Sequence, residues 1–254
     1  MSEIRYGLKL WSTNAALMPM AQESVRNKEF SYVELTPIPG TDVDPFISYD
    51  LPYIIHATTE RDGMNIGDRK KKALNEKTIL ECISWANELK APHIIMHPGY
   101  GSFEDAKDFL KSIADKRFLL ENMPMKGLNG ESMMGFSPEQ LTGLSNTTGY
   151  CLDFGHAIKA AASMKRPLED LIEGLLSLNP KMFHVSDGFL SKETDEHLNI
   201  GDGEYNFKYI TSCIKRSAST KATLETPRKK RSSIEEDKKN LKKIRAIEKN
   251  GKTI

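Results

Sequence analysis

Histidines and carboxylates recur along this chain at points where a short apolar run ends. The runs over residues 52–56 and 92–97 both end in a histidine, and the run over 118–122 carries a glutamate in the same kind of position. The residues of this kind are His56, His97, Glu121, Asp153, His184 and Glu225. Three more candidates lie beyond such runs, namely His156 where the strand ending in Asp153 passes into a loop, and Asp195 and His197 in the polar stretch of residues 193–197. Imidazole together with carboxylate suits zinc, manganese or iron, whereas calcium and magnesium prefer oxygen ligands. The pattern therefore predicts a metal site built from distant parts of the chain.

Nine ligand candidates are too many for one ion, but they suffice for two or three ions if one carboxylate bridges. Metals about 3.5–4 Å apart can hold a hydroxide nucleophile at neutral pH and stabilise a departing oxygen. That chemistry is phosphodiester hydrolysis. Each residue also has an ordinary alternative role, because a single histidine at a strand end is more often a hydrogen-bonding core residue than a ligand. His93 lies inside its apolar run and is left out of the predicted site.

Short apolar runs alternate with helical patterns along most of the chain. The expected strands lie near residues 5–10, 31–35, 52–56, 92–97, 117–121, 149–153, 181–186 and 222–225. The expected helices lie near residues 15–27, 68–89, 104–115, 137–144, 167–177, 205–215 and 233–249. Strands rich in Ile, Leu and Val with little alternation are typical of a parallel sheet that is covered on both faces.

Eight strands that alternate with helical stretches predict an α/β fold of the (β/α)8 TIM-barrel class, formed by a single domain over residues 1–254. An open doubly wound sheet is the alternative, but such a sheet gathers its site at one switch point. Here ligand-type residues end six different strands, which favours a barrel with its metal site at the C-terminal ends of the strands. Residues 228–254 are dense in lysine and arginine, and we expect a charged C-terminal helix packed on the barrel or extending from it.

The composition gives little direct indication of a partner. Lys and Arg number 36 against 35 Asp and Glu, so any nucleic-acid footprint would have to be a local patch. Cys82, Cys151 and Cys213 are widely spaced, which favours reduced thiols in a reducing compartment. No apolar signal region or membrane-length run is present. We therefore expect a cytoplasmic protein without a membrane partner.

Several motifs occur together in a recognisable order. They are His56-Ala57, His97-Pro98-Gly99, Leu120-Glu121-Asn122, Asp153-x-x-His156, His184-x-x-Asp187, Asp195-x-His197 followed by Gly201-x-Gly203, and Glu225-Thr226-Pro227. In this order they resemble the endonuclease IV family, which belongs to the wider xylose-isomerase-like barrel superfamily. The match covers roughly residues 30–227 of the chain.

The resemblance implies a site for three zinc ions. His56 and His97 would bind the first ion, and Glu121 would bridge to the second. Asp153, His184 and Glu225 would complete the second ion, and His156, Asp195 and His197 would bind the third. In that family the metals cleave the backbone of DNA on the 5′ side of an abasic site with a hydroxide held between two zincs. The implied partner is therefore DNA with abasic sites, and Glu121 and Glu225 are the implied catalytic carboxylates.

Some residues depart from the family's pattern. Lys9-Leu10-Trp11-Ser12 stands where the family has a His-Val-Ser segment, the loop of residues 36–42 lacks Arg and Lys, and Thr59 replaces a tyrosine.

The missing basic loop favours a sugar isomerase or epimerase of the same superfamily, which binds one manganese, magnesium or cobalt ion. Its four ligands would be Glu121, Asp153, His184 and Glu225. A non-enzymatic binding protein that keeps a metal for stability is a third alternative.

Other residues favour a nucleic-acid substrate. Arg228, Lys229, Lys230 and Arg231 follow the last strand directly, so these cations would lie on the metal face and contact backbone phosphates. The alternative for this segment is the solvated, charged start of a helix. Trp11, at the end of the first strand, could stack on a base or sugar, although a tryptophan there is more often part of the core or rim. We predict all five residues as substrate contacts.

Overall fold

Eight parallel strands close into a barrel in the computed structural model, which describes residues 3–145 and 148–250. The strands are β1 (Arg5–Trp11), β2 (Tyr32–Thr36), β3 (Tyr53–His56), β4 (Ile94–Met96), β5 (Phe118–Glu121), β6 (Gly149–Asp153), β7 (Met182–Val185) and β8 (Lys221–Leu224). Each strand pairs with the next one in the chain, and β8 pairs with β1 to close the ring. The predicted (β/α)8 TIM barrel is confirmed, because an open sheet would leave two unpaired edges.

Helices follow the strands around the barrel. They are α1 (Met18–Arg26), α2 (Asp44–Ile47), α3 (Lys72–Glu88), α4 (Phe103–Ser112), α5 (Pro138–Leu144), α6 (Phe154–Met164), α7 (Leu168–Ser177), α8 (Phe207–Arg216) and α9 (Glu235–Asn250). Tighter 3₁₀ segments, Ser12–Leu17 and Arg69–Lys71, precede α1 and α3, where the sequence predicted continuous α-helix. Within the described parts of the chain, no helix has the length and apolar composition that crossing a membrane requires.

Helix α6 is not among the predicted helices. It follows β6 directly, and Asp153 caps it by accepting the backbone N–H of His156 at 2.6 Å. The sequence pattern placed these two residues at a passage from strand to loop. The first helical residues, Phe154 and Gly155, are weaker helix formers than alanine or leucine, which hides the start of the helix. The consequence is that His156 lies in a rigid first turn instead of a loop.

Helix α9 packs against the barrel. Leu241 and Ile244 are buried, and the hydroxyl of Tyr6 in β1 donates to Glu248 at 2.7 Å. The predicted charged segment therefore begins as a loop over residues 228–234 and continues as this helix. Residues 251–254 of that prediction lie outside the described residues.

The side chains inside the barrel form layers. An apolar layer is made by Tyr32, Ile54, Ile95, Leu119, Cys151 and Met182. Because side chains alternate along a strand, the next inward-facing position lies two residues further on. These positions hold Glu34, His56, His97, Glu121, Asp153 and His184. The apolar layer is thus a floor, and ligand-type residues form the layer above it at the C-terminal ends of the strands.

Candidate metal centre

All nine predicted ligand residues meet at the C-terminal end of the barrel. All nine are contained in three groups, which are His56, His97 and Glu121; Glu121, Asp153, His184 and Glu225; and His156, Asp195 and His197. Among the described residues, Glu34 lies at similar distances from His56, His184 and Glu225, and Cys151 from Glu121 and His184. Within each group, one ligand-type atom from every residue lies within 4.8 Å of the others. Glu121 belongs to two of the groups, so its carboxylate joins them. The set is therefore large enough for more than one ion.

In the first group, two imidazoles face one oxygen of Glu121. The Nε2 atoms of His56 and His97 lie 3.2 and 3.4 Å from Glu121 Oε2. Their Nδ1 atoms are engaged elsewhere, 2.6 Å from the Ala57 carbonyl and 3.3 Å from a carboxylate oxygen of Glu60. Because a carbonyl only accepts, the Nδ1 of His56 must carry a hydrogen. A neutral ring then aims its Nε2 lone pair at a carboxylate, an arrangement that requires a proton or a cation between them.

The second group surrounds His184. Its Nδ1 lies 3.1 Å from Glu121 and 3.7 Å from Glu225, and its Nε2 lies 3.0 Å from the buried carboxylate of Glu34. One oxygen of Asp153 caps α6, whereas its Oδ2 is buried and has no hydrogen-bond partner among the described residues. A buried carboxylate oxygen without a partner is costly, and a cation beside it would compensate that cost.

The third group combines α6 with the loop between β7 and α8. His156 donates from Nδ1 to the Asn122 carbonyl at 2.9 Å, and its Nε2 lies 3.8 Å from Asp195 Oδ2. His197 places Nδ1 2.9 Å from the main-chain carbonyl of Glu225, and its Nε2 contacts the same oxygen of Asp195. The φ angle of His197 is +47°, in the left-handed region that few non-glycine residues adopt. The loop therefore holds this imidazole in place against a backbone preference.

The five histidines share one arrangement. Each has one ring nitrogen engaged by a main-chain carbonyl or a second carboxylate, and the other nitrogen faces the carboxylates of its own group. Metal-binding histidines in proteins are oriented in this way, because the outer partner fixes the tautomer and the direction of the ring. The residues present thus fit metal ions, and the mixed nitrogen and oxygen donors favour zinc, manganese or iron.

When no metal competes, the charges of the site favour the protonated imidazole at His97, His156, His184 and His197, whereas burial lowers the pKa of His56. Burial lowers the pKa of His97, but the carboxylates of Glu121 and Glu60 outweigh it and raise the pKa to about 9. Burial tends to raise the pKa of Glu121, yet the charges of His184 and His97 hold it well below its usual range. Burial also raises the pKa of Asp153 to about 6. Protons and metal ions therefore compete for the same atoms, and metal binding should release protons.

Three charged residues at the site were not predicted from the sequence, namely Lys9, Glu34 and Glu60. Lys9 Nζ lies 2.6 Å from Glu34 and 2.8 Å from Glu225. The feature that could have identified Glu34 as a site residue is its position in β2, where all five residues are buried and a charged side chain needs a partner. Strand alternation then places Glu34 inside the barrel. Nothing in the sequence pairs it with Lys9, because the two residues meet only when β1 and β2 lie side by side.

The predicted substrate contacts lie at the rim, with one exception. Trp11 is 40% exposed at the end of β1, and Lys229, Lys230 and Arg231 are exposed in the loop after β8. Arg228 has a different role from the predicted one. Its guanidinium pairs with Asp237 at 2.5 Å and donates to a main-chain carbonyl of β1, and its side chain is only 7% exposed. It links the β8 loop to α9 and has little freedom to contact a phosphate.

Comparison with known proteins identifies sequence relatives. A family model described as the xylose isomerase-like TIM barrel matches residues 46–247. An uncharacterised protein of Methanocaldococcus jannaschii is 27% identical over 190 residues, which are 66% of this chain and 61% of that protein. The chain thus spans less than two thirds of the length of this relative. A probable endonuclease 4 of Mycoplasma mycoides subsp. mycoides is 26% identical over 194 residues, covering 68% of this chain and 67% of that protein.

Solved structures with the same fold have different activities in their names. A D-tagatose 3-epimerase-like protein has a TM-score of 0.73 at 19% identity, covering 97% of this chain and 99% of the other. Endonuclease IV of Thermus thermophilus has a TM-score of 0.70 at 22% identity, with the same coverage of the two chains. At such identities the likeness concerns the fold. Because the family model spans most of the sequence, the chain belongs to the xylose isomerase-like TIM barrel family.

Proposed function

We propose that this protein is a zinc-dependent phosphodiesterase of the endonuclease IV type, which cleaves the DNA backbone 5′ to abasic sites. The observation that carries the proposal is the set of three ligand groups, two of which share Glu121, with every one of their five histidines oriented by a second partner. A site for a single ion does not need the first and third groups. The probable endonuclease 4 among the sequence relatives supports the same activity.

Each group would hold one zinc ion, with Glu121 shared between the first and the second. When bound, the ions would supply a nucleophile at neutral pH and the positive charge that a phosphate and a departing oxygen require. Glu121 is suited to the shared position because its Oε1 faces His184 and its Oε2 faces His56 and His97. Its side chain is completely buried, so the surrounding groups fix its orientation.

The open side of the centre lies at the third group. Side-chain exposure rises from 0% at Glu121 to 10% at Glu225, 12% at Asp195 and 34% at His197. A phosphodiester that approaches from solvent would therefore meet His197 first. Lys9 holds one oxygen of Glu225 from below, which leaves the other oxygen directed towards the site. Asp195 and Glu225 would hold the ions that attract the phosphate, and His197 would help to orient it, while the buried groups exclude water from beneath it.

A second candidate function is a sugar isomerase or epimerase with one metal ion. The group of Glu121, Asp153, His184 and Glu225 is complete without the other two groups. The loop of residues 36–42 contains no Arg or Lys that could enter DNA, and a D-tagatose 3-epimerase-like protein shares the fold. In this case Glu121 and Glu225 would exchange a proton with the carbon beside a sugar carbonyl.

Metal analysis and two activity assays distinguish these functions. The protein is purified without chelator, its metals are counted, and it is tested on a duplex with one abasic analogue and on a ketose in deuterated water. We expect about three zinc ions per chain, as three separate ligand groups imply, and strand cleavage that is lost on chelation. One ion or none, with deuterium entering the ketose and no cleavage, would favour the isomerase. Metal-loaded protein inert in both assays would favour a binding protein.

The variant Asp195→Asn separates the phosphodiesterase from the isomerase more directly, because Asp195 belongs to the third group alone. A phosphodiesterase that needs three ions should lose cleavage, whereas an isomerase that uses only the second group should keep its exchange activity. Asp202→Asn is the matched control, since Asp202 is an exposed acid of the same loop. Equal cleavage by Asp195→Asn and Asp202→Asn would refute a role for the third group.

A further inference from the structure

Lys159 of α6 is a completely buried lysine outside the three ligand groups. Its ammonium donates to the carbonyl of Phe189 at 2.7 Å and to Glu196 Oε2 at 2.8 Å, and it lies 5.5 Å from the centre of the Tyr205 ring. A lysine is seldom fully buried unless its charge is compensated, because desolvation of the ammonium is costly. All three partners belong to the loop between β7 and α8, so this side chain ties α6 to that loop.

Glu196 connects the buried lysine to the third ligand group. It lies between Asp195 and His197 in the sequence, and both of these neighbours are ligand-type residues of that group. Its Oε2 accepts from Lys159 and also from the backbone N–H of Phe189 at 2.9 Å. The left-handed backbone of His197 persists only where the surrounding structure fixes it. The placement of Glu196 therefore constrains the residues on either side of it.

Helix α6 supplies both a ligand and the anchor for the other ligands. His156 and Lys159 are three residues apart, so they lie on the same face of the helix. His156 faces Asp195 across the group, and Lys159 holds the next residue, Glu196. The ends of the loop are held differently, by the carboxylate of Asp187, which accepts the backbone N–H groups of Gly188, Gly201, Gly203 and Tyr205. Lys159 thus holds the middle of the loop and Asp187 its two ends.

We propose that Lys159 is a positioning residue for the third metal ion. By holding Glu196 and Phe189, it keeps Asp195 and His197 directed at His156, and it thereby sets the affinity of the third group without touching the ion. This inference rests on the proposed function, in which the third group binds a metal. Lys159 is not one of the nine predicted ligand residues, and the spacing of the histidines does not indicate it.

Zinc titration of the full chain against a chromophoric chelator tests the proposal. Loss of a residue that orients a ligand lowers metal affinity about 10–100-fold. We expect Lys159→Met to bind two ions as the unaltered protein does and the third with an affinity lower by that factor. Glu196→Gln keeps the shape of the side chain but removes its charge, so it should give a smaller loss at the same ion. Lys215→Met is the control, because Lys215 forms a 2.8 Å pair with Glu248 away from the site.

Hydrogen exchange of chelator-treated protein supplies a readout that needs no metal. Amides over residues 189–198 should exchange faster in Lys159→Met than in the unaltered protein, whereas Lys215→Met should leave them unchanged.

If the unaltered protein binds fewer than three ions, the proposed function fails, yet hydrogen exchange still tests whether Lys159 anchors the loop. If it binds three and both Lys159→Met and Glu196→Gln bind all three with the original affinities, the positioning role is overturned. Glu196→Gln carries the test should Lys159→Met fail to fold.

Discussion

The ammonium of Lys9 lies 2.6 Å from the carboxylate of Glu34 inside the barrel, with side-chain exposures of 8% and 0%. Lys9 also contacts Glu225, and Glu34 also contacts His184, so the pair touches two ligand-type residues from below. A buried charge that loses its partner is strongly destabilising, because nothing replaces the lost hydration. The pair allows Glu34 to orient His184 without adding net charge beneath the metal groups.

The Lys9–Glu34 pair should be energetically coupled. We expect Lys9→Met to lower the free energy of unfolding by about 3–5 kcal/mol, since it removes the cation that the buried carboxylates of Glu34 and Glu225 share. The double variant Lys9→Met, Glu34→Gln should be less destabilised than the sum of its single changes. Urea denaturation of chelator-treated proteins measures all three. If the two single changes add up to the effect of the double variant within about 0.5 kcal/mol, the two residues act independently.

Glu121→Gln should remove activity while leaving the barrel folded. The change keeps the shape of the side chain but removes the charge shared by two groups. We expect the zinc count to fall for both of those groups and cleavage to fall by at least about 10³-fold, because several kcal/mol of electrostatic stabilisation would be lost. Metal analysis, circular dichroism and the abasic-duplex assay measure these effects.

The control for this variant is Glu88→Gln, an exposed glutamate at the end of α3. It removes the same charge from the same chain at a distance from the site, so metal content and cleavage should not change. Normal turnover and three bound ions in Glu121→Gln would contradict the bridging role of this carboxylate.

Chelator-treated protein should lose stability as the pH rises from 6.5 to about 9. Burial lowers the pKa of His97 and of His197, but nearby carboxylates outweigh it and raise both pKa values from 6.5 to about 9. The folded protein then binds these protons more tightly than the unfolded chain. The resulting stabilisation is complete below pH 6.5 and is lost as the pH passes through about 9. Urea denaturation across this range measures the slope.

Zinc should reverse this trend, because metal ions and protons compete for the same nitrogen atoms. The stabilisation that added zinc provides should increase from pH 6 to pH 8. His97→Gln removes one of the titrating rings and should flatten the slope of the chelator-treated protein. An unchanged slope in that variant would exclude His97 as a source of the pH dependence.

The strands and the six ligand candidates at strand ends were predictable because both follow from one local pattern. A strand buried on both faces is a short apolar run, and its inward position near the C-terminal end carries the ligand-type residue, as Leu119 and Glu121 illustrate in β5. The pattern needs no knowledge of the neighbouring strands. It also places six of the nine residues at one end of the barrel, because parallel strands all end on the same side. His156, Asp195 and His197 lie beyond strand ends and were indicated by the family resemblance.

Residues whose roles depend on distant partners were beyond such a pattern. Lys9 and Glu34 lie 25 positions apart and compensate each other only across adjacent strands. Arg228 sits in an exposed basic stretch by sequence, but α9 folds back and brings Asp237 against it. Lys159 lies outside the predicted helices and resembles an ordinary solvated lysine in the sequence, until the loop that carries Glu196 covers it. In each case the deciding interaction is created by tertiary structure.

The three cations that remain exposed after β8 should contribute to DNA binding through phosphate contacts. Each phosphate that a cation neutralises adds about 0.9 to the slope of log affinity against log salt. Replacing Lys229, Lys230 and Arg231 together with alanine should therefore weaken binding of an abasic duplex and reduce that slope by up to about 3. Fluorescence anisotropy of zinc-loaded protein at several salt concentrations measures both quantities.

Two controls separate this local effect from general charge and from stability. Alanine at Lys239, Lys242 and Lys249 removes the same charge from the exposed surface of α9 and should change the slope much less. Arg228→Ala should lower the free energy of unfolding by about 3–5 kcal/mol, because it leaves Asp237 buried and unpaired, while the salt slope stays the same. Equal losses of slope from the two triple variants would indicate attraction by overall charge, and the β8 loop would then have no specific part in substrate binding.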